Sequence, residues 1–454
     1  MYKKIHFVGV GGSGMFPLAC ICRKKNIEVS GSDSVKSKNT DILSSLGVKI
    51  FYSHSFDNVE DDVDLLVYSG AIKQNNEEIL SAKEKNIEIM TRSKFLGFIT
   101  KDYDLIAVSG SHGKSTVSSM ITQILIDCKK DPTSIIGAHF NKIDGNSILG
   151  KSNIAVCEAC EYLDSFLDLE PKVGVILNID NDHLDYFKNL ENEKKSFLKF
   201  ANNCKSVVVN KDNNNAVEIS NKMSEKNIVY FGINNQADFC AKNLKVDENA
   251  CFSFDLFRNR KFITKISLKV RGEHNVSNCL SSICVCDLLG LKIEDIKKSV
   301  ENFYGVNRRF QFIGEINGIS IFDDFAHHPT EIESTLKVAK NMKHKRIIVI
   351  FQPHTFSRTF NLIDDFAKVL SIPDKVVITD ILPVREENIY GITSEDLSRK
   401  IKNSIVIREF NEISEYLKEN TKNGDMIITM GGGDIYKCAN IILDTLREKF
   451  KCQT

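Results

Sequence analysis

The stretch DLIAVSGSHGKST, residues 104–116, decides the architecture. Its apolar centre has the length of a short buried strand. The glycine turn comes next, and a helix-like segment follows. A turn of this kind wraps phosphate oxygens with backbone N–H groups at the start of a helix. Lys114 adds positive charge, and Ser115 or Thr116 offers a hydroxyl to Mg²⁺. The common phosphate loop has four residues between its glycines. Here only Ser111 and His112 separate Gly110 from Gly113, and Gly-Lys-Ser is kept. The loop reads as an ATP site.

Working outward, the same strand-then-turn form recurs. KIHFVGV (4–10), IEVSGSD (27–33) and DLLVYSGA (64–71) precede the loop; NIAVCEA (153–159), KVGVILNID (172–180) and KSVVVN (205–210) follow it. Strands alternating with helical segments predict parallel α/β units. Residues 227–268 break the rhythm with NIVYFGI, CFSFDLF and KFITKISLKV, which read as an antiparallel insert. A helix is expected over Val276–Leu289, and alternation resumes with ISIFDDFAHHP, RIIVIFQPH, KVVITDI and DMIITMGGGDI.

Composition narrows the functions. The 454 residues suit two to four domains. Sixty Lys+Arg balance 60 Asp+Glu, which argues against a broad electrostatic surface for nucleic acid or acidic membrane. No apolar run approaches the ~18–20 residues of a membrane helix. The N-terminus reaches glycine before a signal-peptide core forms, so the expected location is the cytoplasm. Thirteen cysteines fit reduced thiols, and Cys157-x-x-Cys160 lacks the second pair of a zinc site.

A second glycine turn, Gly9-Val10-Gly11-Gly12-Ser13-Gly14, fits G-x-G-x-x-G between a strand and a helix. Asp33 closes the next strand, where an acidic side chain can bind ribose hydroxyls. The motif suits a nucleotide diphosphate and does not separate NAD from a UDP-sugar. Three modules follow. Residues 1–102 form a Rossmann-like domain, 103–309 a central P-loop ATPase-type mixed sheet, and 310–454 a Rossmann-like C-terminal domain.

Glu158 and Glu161 follow one strand; Asp182, His183 and Asp185 follow the next. Both sets fall where strand ends face the phosphate loop. Mg²⁺ takes oxygen ligands, so one of the glutamates suits it, and His183 is a less usual ligand. In GEHNVSN, Asn275 and Asn278 can meet an adenine edge, and Asn275 is also a good N-cap type. Arg308-Arg309 can neutralise phosphate at the domain hinge. Six of the ten histidines, His112, His183, His274, His327, His328 and His354, fall in short strand-end motifs.

Taken together, GVGGSGM (9–15), GSHGKST (110–116), EACEY (158–162), NIDNDHLDYF (178–187), GEHNVSN (272–278), GVNRRFQ (305–311), DDFAHHPTEI (323–332), FQPHTFSRT (351–359) and GGGDI (431–435) resemble the Mur ligases from end to end. The resemblance implies an ATP-dependent ligase of peptidoglycan precursor synthesis. ATP would phosphorylate the carboxylate of UDP-N-acetylmuramate, and the amine of L-alanine would attack the acyl phosphate. It implies UDP-sugar on Gly11, Gly12, Ser13, Gly14, Asp33, Ser69 and Gly70, and ATP on residues 110–116, with Asn275, Asn278 and Asp323 at its adenosine. It implies Mg²⁺ on Ser115 or Thr116, Glu158 or Glu161, and His183. Lys114, His183, Arg309, His327, His354 and Arg358 become the catalytic group, with His327 a candidate base.

Two departures stand out: S-H-G-K-S replaces the usual T-H-G-K-T, and Phe325 replaces a tyrosine. A monomer or homodimer acting on these small molecules, with no membrane or nucleic-acid partner, is expected. Three other readings compete: a salvage ligase adding a murein peptide to the same UDP-sugar, a non-catalytic sensor of that sugar, and a nicotinamide dehydrogenase using the first turn.

Overall fold

A computed structural model describes residues 2–180, 184–223, 227–384 and 386–451. Three parallel-rich sheets carry the alternation. The first contains β1 (Lys4–Val8), β2 (Glu28–Ser32), β3 (Lys49–Phe51), β4 (Leu65–Tyr68) and β5 (Glu88–Thr91) in the order β3-β2-β1-β4-β5, all parallel. Strand order reverses at β1, the switch point where open α/β sheets hold ligands beyond their strand ends.

The second sheet contains β6 (Asp104–Ser109), β7 (Thr133–Phe140), β8 (Gly145–Ile148), β9 (Ile154–Glu158), β10 (Val173–Ile176), β11 (Ser206–Asn210) and β12 (Asn227–Gly232). They run β12-β11-β10-β6-β9-β7-β8, parallel except for β7 with β8. Beyond β12 come β13 (Phe239–Val246), β14 (Cys251–Arg258) and β15 (Lys261–Arg271). Asn259 and Arg260, both at positive φ (48° and 68°), turn β14 into β15. A two-residue turn of that conformation makes an antiparallel hairpin, as the sequence predicts. β13 nevertheless joins β12 in parallel, so the insert is not antiparallel throughout.

The third sheet contains β16 (Gln311–Ile316), β17 (Ile319–Asp324), β18 (Arg346–Phe351), β19 (Lys375–Ile378), β20 (Ser404–Val406) and β21 (Asp425–Met430), ordered β16-β17-β21-β18-β19-β20. Only β16 is antiparallel to its neighbour. RIIVIF reads as one apolar run because both faces of β18 are covered. Ile347, Val349 and Phe351 pack with Phe366 and Leu370, whereas Ile348 and Ile350 pack with Ile413 and Leu446.

The chain forms two compact units, one of residues 1–240, 258–260 and 278–300, the other of 241–257, 261–277 and 301–454. In the first, the two N-terminal sheets share one core. Phe7 meets Phe95 edge-on at 5.6 Å, and Phe166 stacks on Phe200 at 4.8 Å. Burying each such ring contributes ~1.5–3 kcal/mol. Among the described residues the cysteines are free and no helix is long and apolar enough to cross a membrane.

Candidate active site

The first glycine turn is braced by the strand beside it. Gly9 N and Val10 N donate to Ser32 O at 2.8 and 2.9 Å, and Gly11 N donates to Asp33 Oδ2 at 2.9 Å. Asn39 Nδ2 donates to Gly11 O at 2.9 Å. A Cβ on Gly11 would stand 2.9 Å from Thr40 Cγ2 and 3.0 Å from Asp33 Oδ2, so only glycine fits. Asp33, expected at a ribose, also accepts Val35 N at 3.1 Å, so both of its oxygens hold backbone. Ser69 N donates to Val8 O at 3.1 Å, which sets the Ser69–Gly70 turn beside Gly9. Gly12 and Ser13 are exposed, and Gly14 is half-buried.

Beneath this turn lies a polar cluster that the sequence reading missed. Glu78, fully buried, accepts Ser32 Oγ at 2.6 Å, His54 Nδ1 at 2.7 Å, Asn58 Nδ2 at 2.8 Å and His6 Nε2 at 3.4 Å. Burial alone would raise its pKa, but these donors carry it below the ordinary carboxylate range. Glu78 therefore fixes Ser32, whose carbonyl fixes the start of the turn.

The phosphate loop is clamped to the segment after β10. His112 N donates to Asn178 Oδ1 at 2.8 Å, Asn178 Nδ2 to His112 O at 3.1 Å, and Asp180 N to Ser111 Oγ at 2.9 Å. Gly113 takes φ 89° at the start of the helix Lys114–Asp127, a left-handed corner that favours glycine. Lys114 Nζ donates to Gly110 O, to Ser111 O at 3.2 Å and to both Glu161 oxygens at 3.0 Å. Burial works against its charge, but Glu161, together with Cys160 and Glu158, holds the pKa above the ordinary lysine value. Ser115 and Thr116 are buried in the first helical turn.

The two glutamates divide. Glu161 is buried against Lys114, whereas Glu158, half-buried at the end of β9, accepts Gly137 N. Hydroxyls and carboxylates are the hard oxygen donors that Mg²⁺ takes, so the chemistry of the set fits that ion. His183 and Asp182 lie outside the described residues, as does the side chain of Asp185. Asn278 lies at the loop, its Oδ1 2.9 Å from where a Gly113 Cβ would stand. Asn275 lies within the first turn of the helix His274–Leu288, so it is not an N-cap; its Nδ2 donates to Arg271 O at 2.7 Å.

The C-terminal unit gathers its own group. His327 Nδ1 lies 2.9 Å from Phe325 O. A carbonyl only accepts, so neutral His327 carries its lone pair on Nε2. Glu331 Oε2 accepts His327 N at 3.1 Å, and Glu331 Oε1 lies 3.9 Å from Arg309 Nη1. The rings of His327 and His354 are 5.1 Å apart, and Arg358 Nη1 lies 3.3 Å from His354 Nδ1. Burial, then His327 and Arg358, push the His354 pKa down to about 3, so its imidazole is neutral at pH 7. Phe325, in the usual tyrosine place, is a platform for Arg308 (4.9 Å) and Arg309 (5.3 Å).

Asp323, expected at the ATP ribose, is buried, accepts Thr429 Oγ1 at 2.6 Å and Arg308 Nε at 3.1 Å, and its pKa is raised by burial. Arg308 is turned toward carbonyls of its own chain. Its Nη1 and Nη2 hold Gly433 O and Gly431 O at 2.8 and 2.7 Å and so shape the GGGDI loop. Gln352, missed in the sequence, pins the same loop through Asp434 Oδ1 at 3.1 Å.

A switch-point glycine turn and a lysine-bearing phosphate loop in one unit, with a histidine–arginine cluster in the other, define a nucleotide-binding protein of the phosphate-loop class. The chain belongs to the Mur ligase family. Residues 4–104 match the model described as Mur ligase family, catalytic domain, residues 108–286 the Mur ligase middle domain, and residues 308–433 the Mur ligase, glutamate ligase domain. It is 44% identical over 98% of both chains to the UDP-N-acetylmuramate–L-alanine ligase of Caldanaerobacter subterraneus, and 42% identical to that of Clostridium tetani over 97% of this chain and 98% of the relative. The crystal structure of UDP-N-acetylmuramate-alanine ligase from Thermotoga maritima superposes with a TM-score of 0.83 at 27% identity over all of both chains. A murein peptide ligase from Psychrobacter arcticus, 23% identical with a TM-score of 0.75 over 98% of each chain, shares the fold.

Proposed function

We propose that this protein is an ATP-dependent carboxylate–amine ligase that joins L-alanine to UDP-N-acetylmuramate, forming ADP and phosphate, in the cytoplasmic synthesis of peptidoglycan precursors. One observation carries the reading: a braced diphosphate-type turn and a lysine-bearing phosphate loop occupy a chain 41–44% identical, over 97–98% of its length, to L-alanine ligases.

The chemistry assigns the residues. A carboxylate resists amine attack because it is a resonance-stabilised anion. Transfer of the ATP γ-phosphoryl group to one carboxylate oxygen makes that oxygen part of a leaving phosphate. The amine then attacks, and the tetrahedral intermediate expels phosphate. Lys114, already placed over its loop by Glu161, neutralises the phosphate oxygens. Ser115 or Thr116 with Glu158 or Glu161 would hold Mg²⁺, which when bound spreads the charge of the transferring group. His327 takes the amine proton at Nε2. Arg358 pairs with the alanine carboxylate, and neutral His354 holds Arg358 in place. Arg309 meets phosphate, and Asn278 meets the adenine.

A phosphate-release assay with UDP-N-acetylmuramate across a panel of amino acids tests the reading. ADP should form only when the UDP-sugar and L-alanine are both present. ADP formation that stays flat on adding both would favour a sensor, and turnover with a preformed murein peptide in place of alanine would favour the salvage ligase.

A further inference from the structure

Arg92 opens the helix Arg92–Thr100 directly after β5, with Thr91 as its N-cap. Its side chain runs along the first glycine turn. A Cβ placed on Gly14 would stand 3.0 Å from Arg92 Cδ and 3.5 Å from both Nε and Nη1. Its charge is also felt at Cys157 and Cys160, on either side of Glu158 in the sequence, where it opposes the upward push of burial on both thiols.

This guanidinium is half-buried, and none of the hydrogen bonds or ion pairs of the described residues engages it. A guanidinium carries five N–H donors, and leaving them unmet in a partly desolvated place is unfavourable. Arg308, by contrast, commits its Nε and both terminal nitrogens to chain oxygens. Gly14 N and the neighbouring Ser13 N also meet no backbone acceptor among the described residues. Among those residues, a cation without a partner thus lies at Gly14, next to two backbone donors without a backbone acceptor.

We propose that Arg92 is a substrate-binding residue that grips an oxyanion of the UDP-sugar, either its diphosphate or its acid carboxylate. Both present paired oxygens to the guanidinium fork. The proposal rests on the ligase reading, which seats the UDP-sugar at residues 9–14.

Calorimetric titration of wild type, Arg92→Ala and Arg92→Lys with UDP, UDP-N-acetylglucosamine and UDP-N-acetylmuramate tests it, with a non-hydrolysable ATP analogue as the control ligand. Arg92→Ala should weaken UDP-N-acetylmuramate about tenfold or more. Affinity for the ATP analogue should stay within twofold, and Arg92→Lys should recover part of the loss. A loss shared by all three uridine compounds assigns the diphosphate; a loss confined to UDP-N-acetylmuramate assigns the carboxylate. Unchanged affinity in Arg92→Ala, or an equal loss for the ATP analogue, overturns the proposal. Should Arg92→Ala melt early, Arg92→Gln, neutral and of similar reach, gives the same comparison. Wild-type protein that binds none of the uridine compounds would overturn the ligase reading itself.

Discussion

The turn at residues 9–14 and the loop at residues 110–116 are both glycine connections from a buried strand to a helix, yet they are held differently. The first is braced from outside by Ser32 and Asp33 at the end of the neighbouring strand and contains no charge of its own. The second is clamped by Asn178 and folds its own lysine back over its carbonyls. Glycine spacing marks where a backbone can approach phosphate. The surrounding side chains decide which phosphate ligand is held and whether it is merely bound or made reactive.

Removing the charge of the second loop should separate the two regions most sharply. Lys114→Ala should lower phosphate release by roughly 10²–10³-fold, while calorimetric affinity for UDP-N-acetylmuramate stays nearly intact. An equal loss of both would mean that the regions are not separate sites. Arg358→Ala should raise the KM for alanine about tenfold with a smaller change for ATP, read from initial rates at varied alanine. On the first turn, Asp33→Ala strands Gly11 N and should raise the KM for the UDP-sugar about fivefold, leaving the KM for ATP in place. Glu78→Gln removes the shared acceptor beneath Ser32. It should raise the UDP-sugar KM two- to threefold and cost about 1–3 kcal/mol of stability, read from urea denaturation.

The last effect is one of pH. Burial and Arg309 push the His274 pKa down to about 4. Between pH 6.5 and about 4 the unfolded chain binds a proton there that the folded chain does not. Stability therefore rises with pH across that window and is lost on acidification, by at most about 1.4 kcal/mol per pH unit for this group. His274→Gln should flatten the dependence of Tm on pH between 4 and 6.5.

Much of the fold was legible because its central strands are covered on both faces and so read as short apolar runs. The elements that escaped notice are mainly edges. β3 and β5 border the first sheet, β8 borders the second, and β16 and β20 border the third. Each is short or half-exposed, with no continuous apolar run to announce it. The site divides in the same way. The glycine turns and Lys114 are local patterns and could be read directly. Glu78 draws on partners 20 to 72 residues away, and the Lys114–Glu161 pair spans 47; neither leaves a local signature. Asp323 could be read as a strand-end carboxylate, but its burial and its bond to Arg308, 15 residues earlier, could not.

The central claim is that a ligand seated at the first turn is activated by phosphoryl transfer from a ligand seated at the second. It is tested most directly by isotope transfer. UDP-N-acetylmuramate labelled with ¹⁸O in its carboxylate is turned over with ATP and L-alanine, and the released phosphate is analysed by mass spectrometry. One ¹⁸O atom should appear in each phosphate, because the carboxylate oxygen leaves with the phosphoryl group. Unlabelled phosphate accompanying formation of the alanine-linked product would contradict the account.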